Sequence, residues 1–278
     1  DAIHDHDMKL MVDVVLNHTG YGLKSTDQGV DEAGNPIPNF PTKEEQDRFD
    51  GMLRLEPDAN HPVTGELAGL PDFITEDPDI RDQIIAWQTD WIEKTKTDRG
   101  DTIDYFRVDT IKHVEMDTWE DFHAELREIN PDFRIIGEYF DGTYMANGKF
   151  LESGTMDSLL DFGFKEIAQE FLRGRIDNTE RQLANRNEAL TEEATMGQFL
   201  SSHDENGFLI TRAKNDPGLM KSAVSLQLTA KGQPVIYYGE ELGLSGMNAR
   251  DMDKGQFSEN RYDMDWDLVG DNDYEDHY

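Results

Sequence analysis

Residues 9–16 read Lys-Leu-Met-Val-Asp-Val-Val-Leu, an almost unbroken apolar run interrupted by one acid. A strand with one wet face alternates, so a run like this predicts a strand covered on both faces, as in a parallel sheet. Five further runs share the character: 102–108 (TIDYFRV), 133–137 (FRIIG), 156–160 (MDSLL), 196–201 (MGQFLS) and 234–238 (PVIYY). Helical stretches lie between them. Asp77-Pro78 opens the clearest one, an N-cap acid followed by proline at the first helical position. Ile80, Ile84, Trp87 and Trp91 then recur on one helical face. Residues 117–129, 165–172 and 216–229 are helical by the same test. Parallel strands need crossover connections, so the alternation predicts an α/β fold built on a parallel sheet.

Two segments break the pattern. Residues 19–72 are rich in Gly, Pro, Asn and Asp with little periodicity, which predicts a lobe inserted after a strand, beside a site. The tail from 251 to 278 holds ten acids against two basic residues, Lys254 and Arg261, and reads as a surface loop or a connection cut short. The chain opens on Asp rather than Met and enters a strand within nine residues, which reads as a start in mid-protein.

Composition narrows the partners. Over 278 residues, 26 Lys and Arg stand against 59 Asp and Glu, a net charge of −33. Such a chain cannot displace counterions from phosphates, so neither nucleic acid nor an anionic membrane is a partner. No apolar window approaches the ~18 residues of a membrane span. Cysteine is absent, which removes disulfides, zinc–thiolate sites and thiol nucleophiles. Aromatic residues make up 10% of the chain, enough for a packed interior despite the charge. The surplus of carboxylates suits a saline setting or a hard cation such as Ca²⁺, or is simply a solvated surface.

In parallel α/β architectures the chemistry gathers past the C-terminal ends of the strands. The residues there are Asn17 and His18, Asp109, Glu138, and His203 with Asp204. An acid after a strand is often only the N-cap of the next helix, and a single histidine is often structural. The joint pattern asks for more. Arg107 and Asp109 share a strand face by period 2, so the guanidinium holds Asp109 ionised, as a nucleophile requires. Glu138 follows Ile135-Ile136-Gly137 and precedes Tyr139-Phe140, an apolar setting that favours a protonated acid. One charged and one protonated carboxyl is the division of labour in glycoside hydrolysis.

The segments VDVVLNH (12–18), YFRVDTIKH (105–113), GEYF (137–140) and FLSSHD (199–204) resemble, in order and spacing, the four signature segments of the α-amylase family of glycoside hydrolases. Leu70-Pro71-Asp72 and GQPVIYYGE (232–240) resemble two further family segments. The resemblance implies a (β/α)₈ barrel of the TIM type, incomplete here with six strands, carrying a B domain after its third strand. It places barrel at 1–18, the B domain at 19–72, the rest of the barrel at 73–250 and an acidic connection at 251–278. The first two barrel strands and a C-terminal β domain then lie outside the chain.

By the same resemblance Asp109 is the nucleophile, Glu138 the general acid and base, and Asp204 the stabiliser of an oxocarbenium-like transition state. Arg107 orients Asp109. His18 and His203 bind the sugar before the scissile bond, and Lys112 and His113 the sugar beyond it. Asn17, Asp72 and the backbone carbonyl of His113 match a structural Ca²⁺ site. Tyr21, Tyr139 and Phe140 are candidate stacking platforms for sugar rings. The implied protein is a secreted, monomeric α-amylase-type endo-hydrolase of α-1,4-glucans such as starch. A cyclomaltodextrinase, neopullulanase or glucanotransferase of the family, or a non-catalytic barrel, are the alternatives.

Overall fold

The computed structural model describes residues 1–23, 41–58, 61, 63–144, 148–190, 195–248 and 259–270. It divides into two compact units: Asp1–Phe140 with Ser153–Asp157, and Asp141–Glu152 with Ser158–Tyr278. The expected inserted lobe falls inside the first unit, and most of its residues up to 40 lie outside those described.

The first unit carries β1 (Met11–Val14), β2 (Leu53–Arg54), β3 (Asp72–Phe73), β4 (Tyr105–Val108) and β5 (Arg134–Gly137). β4 pairs in parallel with β1 on one side and with β5 on the other. The register sets Asp13 opposite Arg107, and Val108 opposite Gly137. It therefore carries Asp109 and Glu138 out of adjacent strands at the same level. β1 departs from the expected two-sided burial. Val14 and Leu16 are buried, but Met11 is 47% exposed, because no further strand pairs with β1 among the described residues.

Aromatic residues fill the space between β4, β5 and the helix Met116–Ile129. Phe106 stacks on Phe122 at 6.2 Å and meets Phe133 edge-on at 4.8 Å. Burying several rings of this size stabilises by roughly 2 kcal/mol each, which fixes the strand ends that bear the site. The helix Pro78–Lys94 begins as read: the Asp77 side chain accepts from the Asp79 amide and Pro78 occupies the first turn. Its buried stripe, however, runs through Ile84, Ile85, Thr89 and Ile92, and Trp91 is 50% exposed. The two tryptophans drew the expected face some way round the helix; Trp87 instead meets Phe49 and Phe73 at 5.8 and 6.3 Å. β2 and β3 form an antiparallel pair beside a short helix, Lys43–Asp47, closed by a Thr42–Glu45 capping box.

The second unit carries β6 (Ser158–Asp161), β7 (Thr195–Gln198) and β8 (Gln233–Pro234). They run in parallel in that order. Helices Phe164–Leu172, Ile176–Ala189 and Pro217–Thr229 accompany them, the last capped by Asp216. Phe164, Leu200, Phe208, Met220 and Val224 form its core.

The helix Ile176–Ala189 is absent from the apolar pattern for a physical reason: its buried residues are Thr179 and Arg186. Arg186 is fully buried and donates from Nε to Asp161 at 2.6 Å and from Nη2 to Gln198 at 3.0 Å. The expected last strand, 234–238, is cut to β8. Pro234 has no N–H, the Tyr237 amide turns to Glu240 at 3.3 Å, and Ile236 and Tyr238 are 43% and 42% exposed. No described helix is long and apolar enough to cross a membrane.

Candidate active site

The site in the first unit is built on strand ends. The ladder continues one step past the strands, with the Asp109 amide donating to Val14 O at 3.0 Å and the Glu138 amide to Val108 O at 2.7 Å. Thr110 then takes a left-handed backbone, φ 49°, unusual for a β-branched residue. Its amide donates to Glu138 Oε2 at 3.2 Å, while the Ile111 amide donates to Glu138 O at 3.1 Å. The turn that strains Thr110 thus aims two N–H groups at one glutamate.

Arg107 joins the acids. Its Nη2 lies 2.7 Å from Glu138 Oε1, and its Nη1 donates both to Asp109 Oδ1 and to Asp13 Oδ1, the latter at 3.0 Å. Burial works to lower the Arg107 pKa, but the carboxylates of Glu138, Asp13 and Asp109 outweigh it and hold the group above its ordinary value. The pairing of Arg107 with Asp109 follows the sequence reading. Glu138 does not: it is buried, 5% exposed, yet its carboxyl rests on a cation and a backbone N–H rather than on hydrocarbon. The register of β4 and β5 explains this, because it sets Glu138 beside Asp109 and within reach of the same guanidinium. Asp13, inside the apolar run 9–16, is a member of the cluster that sequence reading missed; an acid in a strand otherwise free of polar groups was the signal.

His18 sits at the edge of the cluster, Nε2 4.0 Å from Asp109 Oδ2, with Asn17 Nδ2 donating to its Nδ1 at 3.1 Å. Burial lowers its pKa, Asp109 opposes, and His113 adds to the lowering, which favours a neutral imidazole able to donate from one nitrogen. Lys112 donates to Phe140 O at 3.1 Å and lies 5.6 and 5.7 Å from the ring centroids of Tyr139 and Phe140. The ammonium therefore shares the aromatic platform expected for a sugar. The Tyr21 side chain lies outside the described residues.

Asn17, Asp72 and His113 gather near His18. The Phe73 amide donates to Asn17 O at 2.8 Å, His18 and Asp72 form an antiparallel bridge, and His113 interacts electrostatically with His18. Asn17 Oδ1 is buried and accepts no hydrogen bond. Burial pushes the Asp72 carboxyl up to about 7, against Arg54, whose Nη1 donates to it at 3.0 Å. An orphan amide oxygen and a buried carboxyl, the latter already paired with Arg54, are donor types that a hard cation takes. Among the described residues, no group of three or more His, Asp or Glu side chains could hold a metal ion.

His203 and Asp204 belong to the second unit, in the loop after β7. His203 Nε2 lies 2.9 Å from Asp204 Oδ2. Arg261 Nη2 donates to Asp204 Oδ1 at 2.7 Å. Arg261 is a further residue missed from sequence, one of two basic residues in an acidic tail.

The model of the α-amylase catalytic domain matches residues 1–273. The chain belongs to the α-amylase family of glycoside hydrolases. The parallel strands of its two units, with their crossover helices, are six strands of an incomplete (β/α)₈ barrel. A cyclomaltodextrinase from Bacillus sp is 28% identical over 260 residues, which is 88% of this chain and 42% of that protein. Neopullulanase 2 from Thermoactinomyces vulgaris is 26% identical over 265 residues, 88% of this chain and 40% of that protein. A solved cyclomaltodextrinase superposes with a TM-score of 0.73 at 26% identity, covering 100% of this chain and 45% of that one. The chain thus spans less than half the length of these relatives.

Proposed function

We propose that this protein hydrolyses α-1,4-glucosidic bonds in α-glucans with retention of configuration, and that it takes small and cyclic α-glucans in preference to long starch chains. The observation that carries the chemistry is a single guanidinium, Arg107, in contact with both Asp109 and Glu138. It sets two carboxyls side by side, the arrangement of a retaining glycosidase, in which they stand about 5–5.5 Å apart. The preference for cyclic substrates is supported by the relatives named cyclomaltodextrinase.

In this reading Asp109 attacks the anomeric carbon while Glu138, which takes up a proton from solvent before the sugar closes the site, delivers it to the departing glycosidic oxygen. Water then replaces the sugar on Asp109, with Glu138 taking the proton back. Arg107 keeps Asp109 aimed. His18 donates to a sugar hydroxyl, and His203 and Lys112 contact the sugars on either side of the bond. Asp204 offsets the positive charge that develops on the ring. Asn17 Oδ1, Asp72 and the His113 carbonyl would hold Ca²⁺, which would tie β3 to the end of β1 and supply no step of the reaction.

The test is product analysis on β-cyclodextrin, pullulan and soluble starch, with NMR of the first reducing end formed. We expect α-anomers and cyclodextrin opening faster than starch attack. A β-anomer as first product would remove Asp109 as nucleophile. Fast starch cleavage with little cyclodextrin opening would return the reading to an endo-acting amylase.

A further inference from the structure

The Asp204 loop is held by groups that arrive from far along the chain. Its own bonds are weak: the Asp204 amide reaches Ser202 Oγ at 3.3 Å and the Glu205 amide reaches Ser202 O at 3.5 Å. Its carbonyls are taken by two asparagines that follow β8. Asn260 Nδ2 lies 3.0, 3.1 and 2.5 Å from Ser202 O, His203 O and Glu205 O, its two N–H groups shared among the three, and Asn248 Nδ2 donates to Asp204 O at 2.6 Å. Four successive carbonyls of a strand-end loop thus depend on side-chain amides.

Asn260 is itself fixed. It is 1% exposed, its amide donates to Met247 O at 3.2 Å, and its carbonyl accepts from Tyr237 Oη at 2.8 Å. The chain passes it so closely that a Cβ at Gly246 would fall 2.1 Å from Glu259 O and 2.5 Å from Asn260 N, which only glycine allows. Next to this anchor stands Arg261. Its Nε donates to His203 O at 3.1 Å and its Nη2 to Asp204 Oδ1 at 2.7 Å. With His203 on Oδ2, both oxygens of Asp204 are held, and the two donors of Arg261 reach both the backbone and the carboxylate of one loop.

We propose that Arg261, seated by the buried Asn260, is a positioning residue that sets the direction in which the Asp204 carboxylate points. The inference rests on the reading of Asp204 as the group that stabilises positive charge on the sugar. An exposed Arg–carboxylate pair contributes little to stability, so the role of Arg261 lies in geometry rather than in holding the fold. A carboxylate displaced by about 1 Å acts on the transition state more than on the bound substrate, and such displacement costs about 100-fold in rate.

The experiment is a double-mutant cycle in the full-length protein with p-nitrophenyl α-maltotrioside, using Arg261→Met, Arg261→Lys, Asp204→Asn and the Arg261→Met/Asp204→Asn pair. Arg261→Met should lower kcat by roughly 10- to 100-fold with KM within about threefold, and should have almost no further effect once Asp204 is replaced. Arg261→Lys should recover part of kcat, since lysine keeps the charge but not the forked reach. An Arg261→Met variant with unchanged kcat, with a raised KM alone, or with fully additive loss overturns the inference. An Asp204→Asn variant that stays active overturns the reading of Asp204 instead, and so separates the two failures.

Discussion

The two carboxylate sites are held by opposite means. Asp109 and Glu138 are organised from within: Arg107 stands two residues before Asp109 on the same strand, and the register of β4 and β5 brings Glu138 alongside. Asp204 is organised from without, by Asn260 and Arg261, which lie more than fifty residues later. A group that rides on a strand inherits the rigidity of a packed sheet. One that rides on a loop needs a second segment to hold it. The first device survives change elsewhere in the chain, whereas the second fails whenever its distant partner is altered.

The sharpest way to break this comparison is Arg107→Met. Arg107 is largely buried and meets three carboxylates, so its loss leaves like charges facing one another without a cation. Breaking a buried pair of this kind costs about 3–5 kcal/mol, and we expect both a clear fall in urea stability and a loss of kcat of at least ~10³-fold. Arg261→Met, by contrast, should leave urea stability within about 1 kcal/mol of the wild type. Equal destabilisation by the two substitutions would erase the distinction between inner and outer support.

A smaller effect concerns Lys165, which pairs with Glu205 in the same loop as Asp204 and lies over Phe162 at 5.4 Å. Burial, with help from Arg212, pushes its ammonium down to about 8 from 10.5, against Asp141 and Glu166. Between those two values the unfolded chain keeps a proton that the folded protein has released. This group therefore makes stability rise with pH across that window, by at most about 1.4 kcal/mol per unit. Below it, burial of the charged lysine opposes folding in full. Urea melts of wild type and Lys165→Met at pH 8 and pH 10 should show a difference that grows in favour of the wild type; a constant difference would remove the titration.

The smallest effect is expected from chelation. If the oxygens of Asn17 and Asp72 hold Ca²⁺, EDTA should raise amide exchange around residues 17–19 and 70–74, while residues 202–206 stay as they were. Exchange unchanged in the first segment would discard the cation.

Much of the fold was legible because parallel strands are apolar on both faces and announce themselves as runs. The reading erred where a strand was left at an edge, as at Met11 and Ile236, and where a helix is pinned by polar groups. Arg186, buried among Asp161 and Gln198, has no apolar signature, so Ile176–Ala189 stayed hidden. At the site, Arg107 and Asp109 were legible through strand periodicity, since two residues apart on a strand means the same face. The cation on Glu138 was not, because it depends on register between strands. Asn260 and Arg261 were further still from view. Their partners lie across a loop closure that no local pattern encodes, and the single cue was a lone arginine in an acidic tail.

The grip of Asn260 on the Asp204 loop also bears on where this catalytic unit can be trimmed. A polypeptide shortened just past Leu244 would retain β1 to β8 and the packed interior of the second unit. Its loop would nevertheless swing with four carbonyls and one carboxylate turned toward solvent. Such a piece would keep its strands and lose the aim of its third carboxylate.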